Sequence, residues 1–545
     1  MSKLTSLNAE VLVIGAGIAG CCAALEAAYA GKKVILISKI PPLHSHSVSA
    51  RGGVNVAINE PDAFAHINDC LNAGRGVASK DCIEYMCESA PENLHWLEKL
   101  GVQFSKDESG HYKNKAFGGS NIPRACFSKD RTGLAIMVAL IKQIKKNELI
   151  TLLDQMMAVE LIQETCQVIG AQVLHLRNTQ LFKVFANSVV LSTGGGLNSY
   201  KYNTNAVSTT GDGLSLAFNA GAALRHMEFV QFHPLGLRNS GIQIPEPVLG
   251  AGGKIVSISN DNVMSRYYPE KKELAGRDKV SIAIAKELSN HPGSELYLDL
   301  TNIPEEKKFA LKEASLIAAT YLNADVTKDK ISIIPSAHYL MGGVSCNING
   351  QVLNCMGDII NGLFVAGEAA CNGVHGANRI GGNSLLEVVV FGRLAGQNAA
   401  KLQKKANYQN ASFKEFTFPF GDSKEKMGEI LSTLKATMSQ NAGVIRNENG
   451  LKEQLKILAD LNRRYLDIKI SDRTHFYNQQ IKQYVELKNM LLISEAICRA
   501  ALCRPESRGA HYRDDFPSEG NFFEMATLTY KHELGGMACE LIRIS

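Results

Sequence analysis

The sequence lacks features that would place it in a membrane or on nucleic acid. No apolar run approaches the about 20 residues that a membrane-spanning helix needs. No secretory leader or twin-arginine signal precedes the first predicted strand. The formal net charge is only +5 over 545 residues, so nothing indicates a nucleic-acid partner. We therefore expect a cytoplasmic protein.

The cysteines also lack a pattern. Thirteen are present, but none forms a CxxC pair, and Cys21 and Cys22 are simply adjacent. This usage is typical of reduced, buried thiols. It supplies no cluster for an iron–sulfur centre, and the sequence predicts no metal site.

What the chain does have is a large apolar share and enough length for several domains. Apolar residues make up 45% of the sequence and charged residues 20%, which is typical of a well-cored globular protein. Because single cores rarely exceed 250–300 residues, roughly two to four units are expected.

A nucleotide-binding fingerprint opens the chain. An apolar strand at residues 11–14 leads into a glycine turn and a helix, and a second strand follows at residues 33–38, so the pattern predicts a βαβ unit. Glycines in such a turn let the backbone approach a pyrophosphate, which the helix N-terminus also favours. The turn consists of Gly15, Ala16, Gly17, Ile18, Ala19 and Gly20.

Two features make this fingerprint more specific. The second strand ends in Ser38 and Lys39, where a generic dinucleotide-binding fold carries an acidic residue for the ribose. A Ser/Gly-rich loop follows and contains Ser45-His46-Ser47 and Gly52-Gly53.

With these motifs the chain resembles the flavoprotein subunit of succinate dehydrogenase and fumarate reductase. The resemblance implies FAD, bound covalently through His46 in the Ser-His-Ser context. It places further cofactor-binding residues in later segments of similar sequence, namely Thr193, Gly194, Asp212, Glu368, Ser384 and Leu385.

The expected fold is α/β: a Rossmann-like FAD-binding domain interrupted by a capping domain and followed by a helical domain. The FAD-binding pattern covers residues 1–236 and returns at 351–421. The capping domain is predicted at 237–350, and the helical domain at 422–545.

Four segments match the family's substrate site. Arginine can grip a carboxylate with two hydrogen bonds, and imidazole adds a directional donor, so these residue types suit a dicarboxylate. The resemblance implies that Arg277 transfers the proton, with Glu246 and His233 as further catalytic residues. It assigns substrate binding to His233, His338, Arg379 and the aromatic Phe117.

The chain departs from the family pattern beside this site. Leu249 stands where relatives have an arginine that relays protons, Pro245 replaces a substrate-binding threonine, and Arg51 replaces a Gln or Glu. The proton route and the choice of dicarboxylate therefore stay open. Water beside Glu246 is the favoured route, because Gly250, Ala251, Gly252 and Gly253 leave room there.

The resemblance also implies partners: an iron–sulfur protein and, indirectly, membrane-anchor subunits on the inner face of the cytoplasmic membrane. Two alternatives remain. An L-aspartate oxidase shares the fold but usually lacks the histidine at His46, and a catalytically silent flavoprotein module is suggested only by Leu249 and Pro245. The direction of the reaction does not follow from the sequence.

Overall fold

The computed structural model describes residues 6–58, 60–115, 122–129, 131–164, 167–403 and 415–544. The helices in these ranges are α1 (Ile18–Tyr29), α2 (Glu60–Gly74), α3 (Lys80–Glu88), α4 (Ala90–Lys99), α5 (Thr132–Lys146), α6 (Asp212–Asn219), α7 (Pro247–Gly250), α8 (Val263–Tyr267), α9 (Arg277–Asn290), α10 (Lys312–Leu322), α11 (Asn383–Ala400), α12 (Met427–Asn441), α13 (Glu448–Leu466) and α14 (Gln479–Cys503).

The strands alternate with helices in the first part of the chain and then cluster. They are β1 (Ser6–Asn8), β2 (Val11–Ile14), β3 (Val34–Ile37), β4 (Val54–Asn55), β5 (Asn114–Lys115), β6 (Ala125–Cys126), β7 (Ile150–Leu153), β8 (Met156–Glu164), β9 (Gln167–His175), β10 (Leu181–Phe185), β11 (Ser188–Leu191), β12 (Leu224–Arg225), β13 (Val230–Leu237), β14 (Lys254–Val256), β15 (Leu296–Asp299), β16 (Ile331–Leu340), β17 (Gly343–Ser345), β18 (Gln351–Leu353), β19 (Ile359–Val365), β20 (Ala370–Cys371), β21 (Ile445–Arg446), β22 (Tyr512–Arg513), β23 (Met525–Lys531) and β24 (Met537–Arg543).

A parallel sheet forms the centre of the first region. Strands β7, β3, β2, β11 and β19 lie side by side in that order, all parallel. Strands β2, β3 and β11 are buried along their whole length and consist mainly of Val, Ile and Leu, as expected for a sheet covered on both faces. The return of the chain to β19 confirms the interrupted Rossmann-like pattern.

Helices α1 and α11 pack closely on one face of this sheet. A Cβ added at Gly392 would lie 2.7 Å from the carbonyl oxygen of Ala19, and one at Gly396 would lie 2.3 Å from that of Ala23. These glycines therefore allow the two backbones to approach, which fixes the first half of α1 against the second half of α11.

A second, antiparallel sheet lies in the inserted region. Its strand order is β13-β16-β15-β14. Its own apolar cluster includes Leu235, Val248, Ile284 and Ile333, contributed by both strands and helices. Strands β13 and β16 extend toward the parallel sheet and carry the histidines of the predicted substrate site.

The C-terminal region is mainly helical, as predicted, but it also contains strands. Helices α12, α13 and α14 pack together, while β23 and β24 form a hairpin that joins β12 and β17 in a five-stranded sheet. Fully buried arginines attach this region to the rest. Arg504 donates to Glu228 over 2.6 Å and to Glu506 over 2.9 Å.

Two sequence-level expectations concern thiols and membrane spans. The cysteines in the described ranges carry free thiols, and most are buried. Within the same ranges, no helix combines the length and the apolar character that crossing a bilayer requires.

Candidate active site

One large cavity opens at the carboxyl ends of the parallel strands, the position expected for ligands of open α/β sheets. Its volume is about 580 Å³. Each of four neighbouring strands contributes the residue that follows it: Gly15 after β2, Ser38 after β3, Ser192 after β11 and Ala366 after β19.

The predicted cofactor-binding residues converge on this cavity, with the exception of Gly20. The cavity wall includes Gly15, Ala16, Gly17, Ile18, Ala19, Ser38, Lys39, Ser45, His46, Ser47, Gly52, Gly53, Thr193, Gly194, Asp212, Glu368, Ser384 and Leu385. A Cβ at Gly20 would come within 1.8 Å of the carbonyl oxygen of Gly15, so Gly20 packs α1 against the turn.

The turn before α1 leaves a cradle that fits a pyrophosphate. Gly15 has φ +110°, and a Cβ there would meet the carbonyl oxygen of Ser192 at 2.3 Å. Gly17 immediately precedes α1 and offers no side chain to cap it. Ser47 accepts a hydrogen bond from the Ile18 amide over 3.2 Å, so the Ser/Gly-rich loop is tied to the helix N-terminus.

Lys39 and Asp212 bind each other. The Lys39 ammonium lies 2.7 Å from an Asp212 oxygen and 2.8 Å from Glu486, and it donates to Thr210. Burial lowers the pKa of Lys39, but the charges of the two carboxylates together outweigh it, so this pKa is raised above its usual value. This buried cluster connects β3, α6 and α14 beneath the cavity.

His46 lies on the cavity wall, whereas His44 is exposed. The Ala206 amide donates to His46 Nδ1 over 3.3 Å, which leaves the proton of the neutral ring on Nε2. Burial, aided by the charge of Arg379, lowers the pKa of His46 to about 4, so the ring is neutral at pH 7. Ser45 Oγ is buried beside it and has no hydrogen-bond partner in the described part of the chain.

Arg277, the first residue of α9, is held by a carboxylate and an amide. Its Nε and one terminal nitrogen donate to the two oxygens of Glu246, over 2.6 and 3.0 Å. The other terminal nitrogen donates to Gln231 Oε1 over 2.9 Å. Burial raises the pKa of Glu246, but the positive charge of Arg277 and the neighbouring His233 outweigh it and hold that pKa at about 2.

Arg379 converges on the same amide oxygen. It donates to Gln231 Oε1 over 3.0 Å and to Ser384 Oγ over 3.1 Å, and its guanidinium lies 4.2 Å from the ring centre of Tyr339. Burial, aided by the charge of Arg277, lowers the pKa of Arg379 to about 10, so it stays charged at neutral pH. Its Nε is buried and has no hydrogen-bond partner among the described residues.

Two neutral imidazoles complete the group. The rings of His233 on β13 and His338 on β16 are 5.4 Å apart, because these strands pair in the antiparallel sheet. Thr204 is bonded to His338 Nδ1 over 2.7 Å. Burial lowers the pKa of His233 to about 3 and that of His338 well below its usual value.

The structure thus brings together Arg277, Glu246, His338 and Arg379 on the cavity wall. His233 is fully buried next to them, with Nε2 3.6 Å from Glu246 and no hydrogen-bond partner in the ranges the structure covers. Phe117 lies outside the described residues.

The three departures from the family pattern occupy different places. Pro245 lines the cavity. Leu249 is buried in the apolar cluster of the inserted region. Arg51 forms an ion pair with Glu313 on α10, so it links the Ser/Gly-rich loop to the inserted region.

The glycine-rich stretch after Leu249 offers less room than its composition suggests. A Cβ at Gly250 would meet nothing within 4 Å, but one at Gly253 would lie 2.7 Å from Leu300. Ala251 is buried. Space therefore remains at Gly250 and at Gly252, where a Cβ would lie 3.8 Å from Ile303, but not at Gly253.

Gln231 is a site residue that the sequence analysis missed. It is buried, its oxygen accepts from both arginines, and its Nε2 donates to the Asn378 side chain and the Arg379 carbonyl. Gln231 lies two residues before His233 on the same strand, and this spacing could have indicated that both side chains lie on the same face. Thr204, the partner of His338, belongs to a loop without a recognisable motif.

Comparison with known proteins identifies the family. The family described as "FAD binding domain" matches residues 10–385, and the one described as "Fumarate reductase flavoprotein C-term" matches residues 432–540. The succinate dehydrogenase flavoprotein subunit of Rickettsia felis is 36% identical, over 94% of this chain and 91% of its own. The fumarate reductase flavoprotein subunit of Serratia sp. is 34% identical over 94% and 90%.

A solved structure supports the same family. A mutant of Escherichia coli quinol fumarate reductase superposes with a TM-score of 0.92 at 30% identity, covering 99% of this chain and 97% of that one. The chain belongs to the succinate dehydrogenase and fumarate reductase flavoprotein family. It is an FAD-dependent oxidoreductase acting on CH–CH groups, and the resemblance stated from the motifs is confirmed.

Proposed function

We propose that the chain interconverts succinate and fumarate at the cavity wall where Arg277 and Arg379 meet. The observation that carries this proposal is the shared contact of both guanidiniums with Gln231 Oε1, at 2.9 and 3.0 Å. Gln231 thus holds two fixed positive charges side by side next to the cofactor cradle, an arrangement that suits a small dianion.

Unpartnered donors indicate where the dicarboxylate binds. Arg379 Nε and His233 Nε2 are both buried without hydrogen-bond partners in the described ranges, and such groups are costly unless a ligand satisfies them. Because both imidazoles are neutral at pH 7, the site's positive charge comes from the arginines. A bound dianion would give Arg379 Nε a hydrogen-bond partner.

The residues of this chain supply binding and the proton. Bound FAD would accept a hydride from succinate or donate one to fumarate. In fumarate reduction, Arg277 donates a proton to the second alkene carbon and is then reprotonated. In succinate oxidation, Arg277 first passes a proton to Glu246 and then takes up the proton that leaves the second carbon.

Glu246 is the group that returns the proton to Arg277. Both of its oxygens contact Arg277, and its side chain is 22% exposed, so it lies between the arginine and water. Its low pKa keeps it ionised and able to accept a proton transiently. Leu249 takes no part in this route, because its side chain packs in the apolar cluster of the inserted region.

We infer that FAD is covalently attached through His46. The ring lines the cavity and Ala206 holds Nδ1, so the attachment is at Nε2, which loses its proton to solvent as the bond to the cofactor forms. His44 is exposed and does not line the cavity.

The partners and the domain boundaries are also proposals. The relatives are named as subunits, which supports assembly with partner proteins. From the family resemblance we propose an iron–sulfur protein as electron partner and peripheral attachment to the inner face of the cytoplasmic membrane through anchor subunits. Residues 237–350 act as the cap over the cavity, between FAD-binding segments 1–236 and 351–421, with residues 422–545 as the helical domain.

Ligand binding tests the assignment of this pocket. Fumarate or malonate added to the FAD-loaded protein should perturb the flavin absorbance with saturation, and acetate should not. Arg379→Gln should weaken dicarboxylate binding at least tenfold, whereas Arg266→Gln, outside the cavity wall, should leave it unchanged. Equal binding by wild-type protein and Arg379→Gln would contradict this assignment.

A further inference from the structure

Three soft metal ligands lie together in a buried cluster outside the cavity. His66 and Cys70 are four residues apart on α2 and so share one helix face. Cys87 belongs to α3, which packs against α2. One ligand atom from each residue lies within 4.8 Å of the other two, and all three side chains are at most 3% exposed.

Asn383 connects this cluster to the cavity wall. Its Nδ2 donates to Cys70 Sγ over 3.0 Å, and its Oδ1 contacts His66 Nε2 over 2.9 Å. Asn383 begins α11, and the residues on either side of it, Gly382 and Ser384, both line the cavity.

The cluster is not fully satisfied by internal hydrogen bonds. His66 Nδ1 is buried and has no partner in the described part of the chain. Asn383 contacts the other ring nitrogen, so Nδ1 is the nitrogen of His66 that is left to bind an ion.

Charge decides which cation suits the cluster. Two thiolates neutralise one divalent ion, so a zinc complex would be buried without net charge, whereas copper(I) would leave one negative charge. The nearby buried cation, Arg124, is already bonded to Asp69 over 2.7 Å and does not offset such a charge. Thiolate and imidazole are the ligands that structural zinc prefers.

We propose that His66, Cys70 and Cys87 bind one structural Zn²⁺. On binding, the two cysteines lose their thiol protons to solvent and form two Zn–S bonds, with no change of redox state. The ion fastens α2 to α3, and Asn383 connects the cluster to the start of α11, so the ion stabilises one wall of the cavity.

The test measures zinc in tag-free, FAD-loaded full-length protein, kept reduced and expressed with added zinc. We expect one equivalent after gel filtration. Cys70→Ser and Cys87→Ser should reduce it to near zero, whereas Cys82→Ser, a buried cysteine on α3 outside the cluster, should retain it. Removal of zinc with a chelator should lower the melting temperature of the wild type and of Cys82→Ser only.

X-ray absorption at the zinc edge of the wild-type protein gives an answer even if the cysteine variants fail to fold. It should show two sulfurs at about 2.3 Å and two nitrogen or oxygen ligands at about 2.0–2.2 Å. The proposal is overturned if wild-type protein retains no zinc, if Cys70→Ser or Cys87→Ser retains a full equivalent, or if the absorption shows no sulfur ligand.

Discussion

At the scale of single residues, the site depends on how one amide orients two arginines. Gln231 Oε1 accepts from Arg277 and Arg379, while Gln231 Nε2 is held by Asn378 and the Arg379 carbonyl. The amide cannot turn without losing these bonds. The two guanidiniums therefore stay in place before substrate binds, which reduces the reorganisation that the reaction requires.

Arg277→Lys should separate proton transfer from binding. Lysine keeps the charge but cannot hold both oxygens of Glu246 and Gln231 at once. We expect normal FAD content, dicarboxylate affinity within a few-fold of wild type, and kcat lowered by roughly 10²–10⁴-fold, the usual contribution of a general acid. Arg266→Lys in the inserted region is the matched control. Near-normal kcat in Arg277→Lys would contradict this role and indicate that Glu246 or His233 is the proton donor.

His46→Ser should abolish the covalent flavin. Denatured wild-type chain should carry yellow fluorescence on a gel near 59 kDa, and denatured His46→Ser should carry none. Succinate oxidation should be lost before fumarate reduction, because the covalent bond raises the flavin potential. His44→Ser is the control, and fluorescence that disappears with His44→Ser instead would refute the assignment.

At the scale of elements, the short helix α7 explains why the chain tolerates Leu249 at the position where relatives have a proton-relaying arginine. Leu249 packs with Val248 and Ala251 in the apolar cluster of the inserted region, while Glu246, which precedes α7, turns toward Arg277. Helix α7 therefore packs in the core through Leu249, while Glu246, just before the helix, serves proton transfer. The sequence showed the substitution, but it could not show that the side chain lies in the core.

Leu249→Arg should consequently damage the protein rather than improve it. An arginine there would bury an unpaired guanidinium, so we expect a lower melting temperature and less fumarate reduction. Leu249→Met, which conserves volume, should change both by little. Faster fumarate reduction by Leu249→Arg, with a smaller solvent isotope effect, would show instead that proton delivery limits the wild-type enzyme.

Most of the fold and much of the site follow from local sequence patterns. Short motifs with fixed spacing could be predicted from the sequence. They include the βαβ unit, the glycine turn and the arginine and histidine segments. The contacts of Gln231, Thr204 and Asn383 could not be predicted, because they join residues distant in sequence. The hairpin β23–β24 was also missed, since its strands continue a region dominated by helical spacing.

At the scale of the whole molecule, buried neutral histidines connect stability to pH. Burial is the main cause that lowers the pKa of His233 and His511 to about 3, and of His46 and His226 to about 4. In the unfolded chain these rings titrate near 6.5. The unfolded state therefore binds more protons between pH 6.5 and about 3, and stability rises with pH across that window.

The free energy of unfolding should accordingly fall as the pH drops from 7.5 to 5.5, before most carboxylates titrate. Urea unfolding at both pH values measures it. His511→Gln, away from the cavity, should reduce the difference between the two pH values, while exposed His111→Gln should leave it unchanged. Equal stability of the wild type at pH 7.5 and 5.5 would contradict this prediction.

Turnover by the purified, FAD-loaded chain tests the central claim most directly. With artificial redox dyes in place of a partner protein, succinate should be oxidised and fumarate reduced, and malonate should inhibit both, while L-aspartate is not oxidised. These rates should disappear in Arg277→Lys and persist in Arg266→Lys. Absence of both activities in a protein with full FAD content, or oxidation of L-aspartate, would contradict the account.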